Sequence, residues 1–402
     1  MHHMNRGVVL ALWAATLVAA FGAGRAAAPP GAISAPEDLG ASIRAALGEG
    51  DVLERTVRTA DLVQHLDAAN LPEVRAVYDR MLTVIDQVDI RPFVAAWVRF
   101  DPAGALDHTL AWPFATKREY GVEAAMLGWA QRDPLAARLA YEQAAPDHPS
   151  VRRTLLIALV AGWVHSGQEG LDRYIADLPP SSQETAAGTA IGALIRRGGP
   201  EAVLAWVDPI LRNEAYEIKF KRSVFRRATR SVARWQPERG VAWATAHAGE
   251  AYAKDGIRLV AEQWGAQDGP AAMQWLRDQP HGELREQAVR EGFVGWLNSD
   301  ARSAREWLNA QTLTAFHDPA IEVYASRLGD RAPERSVRWC ERISDPQHRN
   351  GCLRAAAIQW YRVDAVAAEA WLQQSPLDEE ARSAVRRPPE RGKRVRRGAD
   401  PR

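Results

Sequence analysis

The residues with the clearest capacity for binding chemistry form one basic run. No acidic residue occurs from 218 to 235, whereas lysines and arginines recur throughout that segment. Helical spacing places the basic strip on one side of a predicted helix, and it consists of Lys219, Arg222, Arg226, Arg230 and Arg234. Guanidinium groups form charge-assisted hydrogen bonds with carboxylates and phosphates, so the strip predicts docking of an anionic partner, such as an acidic protein, a cell-wall polymer or lipid phosphate. The alternative is a solvated helix face whose charges pair with neighbouring acids such as Glu214 and Glu217.

The two cysteines are the next residues with potential chemistry. Cys340 follows Trp339 on one predicted helix, and Cys352 lies at the start of the next, beyond an Asp345-Pro346 turn. Two helices joined by such a turn run antiparallel, which brings the cysteines together. In an oxidising compartment we expect a disulfide, worth about 3 kcal/mol in the loop-entropy description. The alternative is two small buried thiols.

Other catalytic or metal-binding patterns are missing from the sequence. It contains no Gly-rich phosphate loop, no Gly-x-Ser-x-Gly elbow and no His-Glu-x-x-His motif, and its histidines are scattered. We therefore predict no cofactor and no metal site. With 51 Lys+Arg against 50 Asp+Glu, the charge balance also argues against a nucleic-acid binder. An active site assembled from distant carboxylates stays open, because such pairs have no fixed sequence spacing.

Tryptophan supplies the pattern that must position these groups. The chain has 15 Trp, against eight Tyr and eight Phe. One frame fits most of them: Trp296, Asp300, a turn position at 301, Ala304 and Trp307. The turn positions recur at 102, 134, 168, 200, 237, 269, 301, 333 and 365, and the last five are 32 residues apart. A regular period of this length is typical of repeat proteins.

The residue types in the frame describe one helix-turn-helix unit. Asp caps the second helix, Pro suits its first position, and Ala permits close helix contact. The two Trp of each unit are predicted to be core residues, since a helix pair buries its apolar face only by stacking on its neighbours. We therefore predict an all-α fold, an open right-handed α-solenoid of about nine or ten helix-turn-helix repeats.

The order Asp300, Ala304, Trp307, which recurs as Asp364, Ala368, Trp371, resembles the second helix of Sel1-like repeats. These belong with the tetratricopeptide family of α-solenoids. The resemblance covers about 100 to 375 and implies protein or peptide binding rather than catalysis. The chain departs from the family in its period of 32, where tetratricopeptide units have 34, and in lacking most of the Leu-Gly pairs of the first helix.

The segments outside the repeats predict export. Arg6 precedes an uncharged run from 8 to 24, followed by small residues, which is the pattern of a secretory signal cleaved near Ala26. The alternative is an uncleaved membrane anchor, the one case in which we expect membrane association. The predicted organisation is a signal peptide (1–26), a linker (27–36), a helical N-terminal cap (37–90), the repeat array (91–385) and a basic disordered tail (386–402).

Together these patterns predict an exported, non-catalytic interaction scaffold, located in a bacterial periplasm or secreted. The expected partner is a protein or peptide, which can be anionic, and no nucleic acid is expected. The alternative function is the solenoid part of a cell-wall or polysaccharide-acting enzyme system. Such a part would resemble the superhelix of lytic transglycosylases or a toroidal all-α lyase.

Overall fold

The computed structural model of the chain describes residues 38–329 and 331–387. All regular structure in these ranges is helical, with no strand, so the predicted all-α class is confirmed. The predicted signal peptide and linker, and the predicted tail from 388 onward, lie outside the described residues. Within the described ranges, no helix combines the length and apolar character needed to cross a membrane. The chain divides into two compact units between Ala158 and Leu159.

The first unit begins with three helices in the segment predicted as a cap and continues with two helix pairs. Its helices are α1 (Leu39–Leu47), α2 (Val52–Leu62), α3 (Leu71–Met81), α4 (Gln87–Trp97), α5 (Pro102–Leu110), α6 (Ala115–Arg132) and α7 (Pro134–Asp147). A short 3-10 turn, Val63–His65, follows α2. Helix α8 (Arg152–Ser166) contains the division between the units.

The second unit holds the remaining helices and a second 3-10 turn, Ala315–His317. The helices are α9 (Leu171–Ala176), α10 (Pro180–Arg212), α11 (Ile218–Trp235), α12 (Pro237–Ala246), α13 (Gly256–Gln267), α14 (Gly269–Arg277), α15 (Glu283–Ser299), α16 (Ala301–Ala310), α17 (Asp318–Leu328), α18 (Pro333–Cys340), α19 (Pro346–Val363), α20 (Ala365–Gln374) and α21 (Glu379–Arg386). Seven predicted turn positions are the first residues of helices. Position 200 instead follows a kink in α10, where Gly199 has φ of 67°.

Single aspartates connect many of these helices. Asp300 ends α15 and begins α16 with an extended backbone, φ −147° and ψ 82°. Its N–H donates to the carbonyl of Trp296 at 2.7 Å, while its carboxylate accepts from the N–H of Ser303 at 3.0 Å. The same arrangement occurs at Asp133, Asp268 and Asp364. One residue thus satisfies backbone groups of both helices, and the predicted capping role of Asp is confirmed.

In each helix pair, we call the helix before the connecting residue the first helix and the one after it the second helix. The first helices of successive pairs pack directly on one another. In the second unit, extensive contacts join α10 to α11, α11 to α13, α13 to α15, and α15 to α17. Among the described residues, no comparable contact joins successive second helices. The backbones of α13 and α15 approach closely, and a side-chain carbon on Gly265 would overlap the carbonyl oxygen of Gly292.

Candidate binding face

A ladder of ion pairs links the first helices of the second unit. Arg226 of α11 contacts Asp255 at 2.8 Å. Asp255 is also 3.4 Å from Arg258, which in turn binds Glu291 of α15 at 3.0 Å. Two further ion pairs also join one first helix to the next, Arg230 with Glu262 and Arg290 with Glu322. Most of these partners lie close to one repeat period apart, so the pairs join neighbouring repeats rather than residues within one helix.

The arginines of the ladder recur in the sequence at a regular spacing, which the prediction of an anion-docking strip did not take into account. Arg226, Arg258 and Arg290 all lie eleven residues before a turn position, and they are therefore spaced by 32 residues. The same position in the first unit holds Arg91, which binds Glu123 at 2.6 Å. A cation recurring at the repeat period indicates a structural contact between repeats rather than a local docking element.

The basic strip is divided by this ladder into two groups. Arg226 and Arg230 are half-buried and paired with Asp255, which directly precedes α13, and with Glu262 of α13. The expected partners Glu214 and Glu217 form no ion pair with the strip among the described residues. The remaining strip residues are exposed and form no ion pair within the described ranges; they are Lys219, Arg222 and Arg234. The structure thus uses the middle of the strip to hold helices together and leaves its two ends in solvent.

Lys219 lines a cleft of about 720 Å³ at the start of α11, which we call the strip cleft. The loop at 213–217 forms one wall. It lies between the turn positions 200 and 237, which are 37 residues apart, five more than the regular period. The hydroxyl of Tyr216 in this loop donates to Asp172 at 2.6 Å and thereby ties the loop to α9. Burial, followed by this carboxylate, raises the pKa of Tyr216, so the phenol stays protonated as the donor.

The lining of the strip cleft mixes both signs of charge with neutral hydrogen-bonding groups. Arg173 and Lys219 supply positive charge. Acids and amides also line the cleft, namely Asp177, Glu184, Glu217, Gln183 and Asn213. A surface of this kind can bind carboxylates and amide groups at the same time, as an extended peptide requires.

A second cleft, of about 670 Å³, lies between α17 and α19 at the far end of the ladder. Glu322 reaches it from α17, and the Nδ1 atom of His348 on α19 lies 3.5 Å from that carboxylate. Cys352 lines the same cleft and is joined to Cys340 by a disulfide with a Cα–Cα distance of 5.5 Å. The disulfide therefore fixes α18 against α19 beside the cleft.

Within the described ranges, no group of three or more His, Cys, Asp or Glu side chains is placed to hold a metal ion. Comparison with family models, with curated proteins and with solved structures finds nothing that matches this chain. A functional assignment therefore depends on the geometry of the faces and clefts described above.

Proposed function

We propose that the chain is an exported, non-catalytic interaction scaffold whose first helices bind an acidic segment of a protein partner. Helices beginning at 32-residue intervals support this proposal, as do first helices that each contact the next. The finer architecture, an open right-handed solenoid of about nine or ten helix pairs of the tetratricopeptide or Sel1-like kind, is part of the same proposal.

The observation that carries the proposal is the exposure of Lys219 and Arg222. Like charges spaced along one helix repel one another by a few tenths of a kcal/mol per pair. Asp255 and Glu262 offset that cost for the middle of the strip. Lys219, which lines the strip cleft, and Arg222, one turn further, form no ion pair within the described ranges. An external carboxylate would supply the missing partner.

The mixed lining of the strip cleft favours a polypeptide over a phosphate-rich surface. A dense array of phosphates offers only hydrogen-bond acceptors, and Asp177, Glu184 and Glu217 need donors. A peptide instead alternates side-chain carboxylates, which Lys219 and Arg222 can bind, with backbone amides, which the cleft acids and amides can bind. The partner we infer is therefore an extended segment with Asp or Glu at intervals.

Export is a separable part of the proposal. The disulfide between Cys340 and Cys352 fits an oxidising compartment, where such bonds persist. Mass spectrometry of the protein recovered from the periplasm or medium tests cleavage near Ala26, because the exported form should then begin at residue 27. Recovery of an unprocessed chain in the membrane fraction would support the anchored alternative.

Binding of a labelled peptide of alternating Glu and Ser residues tests the proposed function, with a Lys-Ser peptide of equal length as the control. We expect saturable binding of the acidic peptide alone. The affinity should fall between about 0.01 M and 0.15 M salt, over which the Debye length shortens from about 30 Å to about 8 Å. Equal binding of both peptides, or no binding of the acidic one at low salt, would refute the proposal.

A further inference from the structure

A pocket of about 480 Å³ lies where α14 and α16 end, beside the loop at 311–317. It is separate from the ion-pair ladder and from the strip cleft. Arg277 from the end of α14 is the only lining residue that carries a permanent charge, and no carboxylate lines the pocket. Thr312 and Thr314 add polar lining, with the Thr314 hydroxyl 3.2 Å from Nδ1 of His317, and Phe316 supplies an apolar wall.

The guanidinium of Arg277 is held by an aromatic ring rather than by an acid. Its Cζ atom lies 5.5 Å from the centre of the Phe316 ring, and that of Arg285 lies 5.8 Å from the same centre. Neither arginine forms an ion pair within the described part of the chain. Cation–π contact orients a guanidinium but leaves its hydrogen-bond donors available.

The acid that follows the pocket in sequence is already occupied. The carboxylate of Asp318 accepts the backbone N–H groups of Ser344 and Asp345, each at 2.9 Å. Asp318 therefore serves the connection before α19, and it is no hydrogen-bond partner of Arg277 in the structure.

His317 adds a buried donor without a partner. Its side chain is 3% exposed, and its Nδ1 atom lies 3.1 Å from the backbone N–H of Thr314. Because Nδ1 accepts that hydrogen bond, the neutral ring carries its proton on Nε2, and Nε2 has no hydrogen-bond partner. Burial lowers the pKa of His317, and the charge of Arg277 acts in the same direction. The hydrogen bond with Thr314 and the charge of Asp318 oppose the shift only in part, so the ring is neutral near pH 7. A buried donor left unpaired in a native structure needs an explanation, and a bound ligand is one.

We infer that this pocket binds an organic carboxylate, with its anionic group on Arg277 and its apolar body against Phe316. The forked guanidinium matches a carboxylate through two parallel hydrogen bonds, and a single positive charge suits a monoanion. The Nε2–H group of His317 is the second donor. Since this nitrogen is buried, the carboxylate reaches it only when a ring that contacts His317, that of Phe316 or of Trp307, moves. The inference goes beyond the proposed peptide binding at the strip cleft and does not depend on it.

The carboxylate could belong to a free organic acid or to the C-terminus of a peptide, and two sets of probes distinguish these sources. Calorimetric titration of the full chain with benzoate, with benzamide as the neutral counterpart, tests the free acid. An acetylated Ala-Phe dipeptide and its C-terminal amide test the peptide terminus. We expect at least one carboxylate to bind saturably and its amide not to bind.

The variant Arg277→Gln should weaken carboxylate binding by about tenfold or more, because it removes a charge-assisted pair. Arg305→Gln is the matched control, since Arg305 is also exposed and without an ion pair in the described ranges, and it lies outside the pocket lining. Both variants should melt like the wild type. Undiminished binding to Arg277→Gln, absence of binding by every carboxylate probe, or tighter binding of inorganic phosphate would overturn the inference.

Discussion

The indole rings of Trp296 and Trp307 lie 5.4 Å apart, on the two helices that meet at Asp300. The same relationship joins Trp264 to Trp275 at 5.4 Å and Trp360 to Trp371 at 6.2 Å. Each pair places one large aromatic side chain from the first helix against one from the second helix, directly beyond the connecting aspartate. In these three helix pairs, the two tryptophans of the repeat frame therefore pack against each other.

Replacing Trp307 by Ala should lower the free energy of unfolding by about 3 kcal/mol. This is the lower end of the usual loss for a large core side chain, because Trp307 is half-buried. Urea denaturation measures this loss. Trp235→Ala is the control, because Trp235 is 57% exposed and outside the repeat frame. Trp371→Ala should behave like Trp307→Ala. A Trp307 variant of full stability that loses a partner would mean that the ring binds ligands instead.

The contact between α13 and α15 predicts opposite results for two glycine substitutions. Gly265→Ala should destabilise the chain by about 1–3 kcal/mol, because the new methyl group overlaps the backbone at Gly292. Gly351→Ala should be neutral or stabilising by up to about 1 kcal/mol, because Gly351 lies within α19 with open space around it. Thermal and urea denaturation of both variants measure the difference. Equal effects at the two positions would contradict direct backbone packing of the first helices.

The disulfide predicts a specific thiol count. Protein unfolded without a reductant should show no reactive thiol, and reduced protein should show two. Replacing Cys340 and Cys352 together by Ser should lower the free energy of unfolding by about 2–4 kcal/mol, because the bond restricts the unfolded chain. Two reactive thiols in the unreduced protein would refute the bond in the isolated protein.

Two histidines, the buried His317 and the half-buried His247, predict that stability falls on acidification. Burial lowers the folded-state pKa of His317 and of His247, although Asp208, 3.7 Å from His247, partly offsets the effect at His247. Just below the ordinary histidine pKa of about 6.5, the unfolded chain therefore binds more protons than the folded chain. The contribution of the two neutral histidines to folding stability is present above that pH and is lost below it.

The melting temperature of the His247→Gln/His317→Gln variant should therefore fall less between neutral and mildly acidic pH than that of the wild type. His165→Gln is the control, because His165 is exposed. An unchanged pH dependence in the double variant would contradict the role assigned to these two rings.

Much of the fold could be predicted because its local signals agree with one another. Asp300 and Asp364 mark helix starts by capping chemistry that acts within three residues, and the tryptophan period locates the helices around them. The charge pattern of α11 was also visible, but the sequence could not decide how its arginines are used. That decision depends on where Asp255 and Glu262 lie on the next helix, about one period away.

The contacts missed by sequence reasoning are those without a local pattern. The hydrogen bond from Tyr216 to Asp172 spans 44 residues and ties an irregular loop to a short helix. The unpartnered nitrogen of His317 depends on the packing of two helix ends and a turn. The recurrence of Arg226, Arg258 and Arg290 was detectable, because their spacing equals the repeat period.

The most direct test of the proposed function compares two double variants of the basic strip, in binding of the labelled Glu-Ser peptide and in melting temperature. Lys219→Gln/Arg222→Gln should lose most of the binding and its salt dependence while the melting temperature stays unchanged, because these side chains are exposed and form no ion pair with any described residue. Arg226→Gln/Arg230→Gln should lower the melting temperature and retain binding, because these side chains hold α11 to α13. Wild-type binding by Lys219→Gln/Arg222→Gln would contradict the assignment of the strip as the docking site.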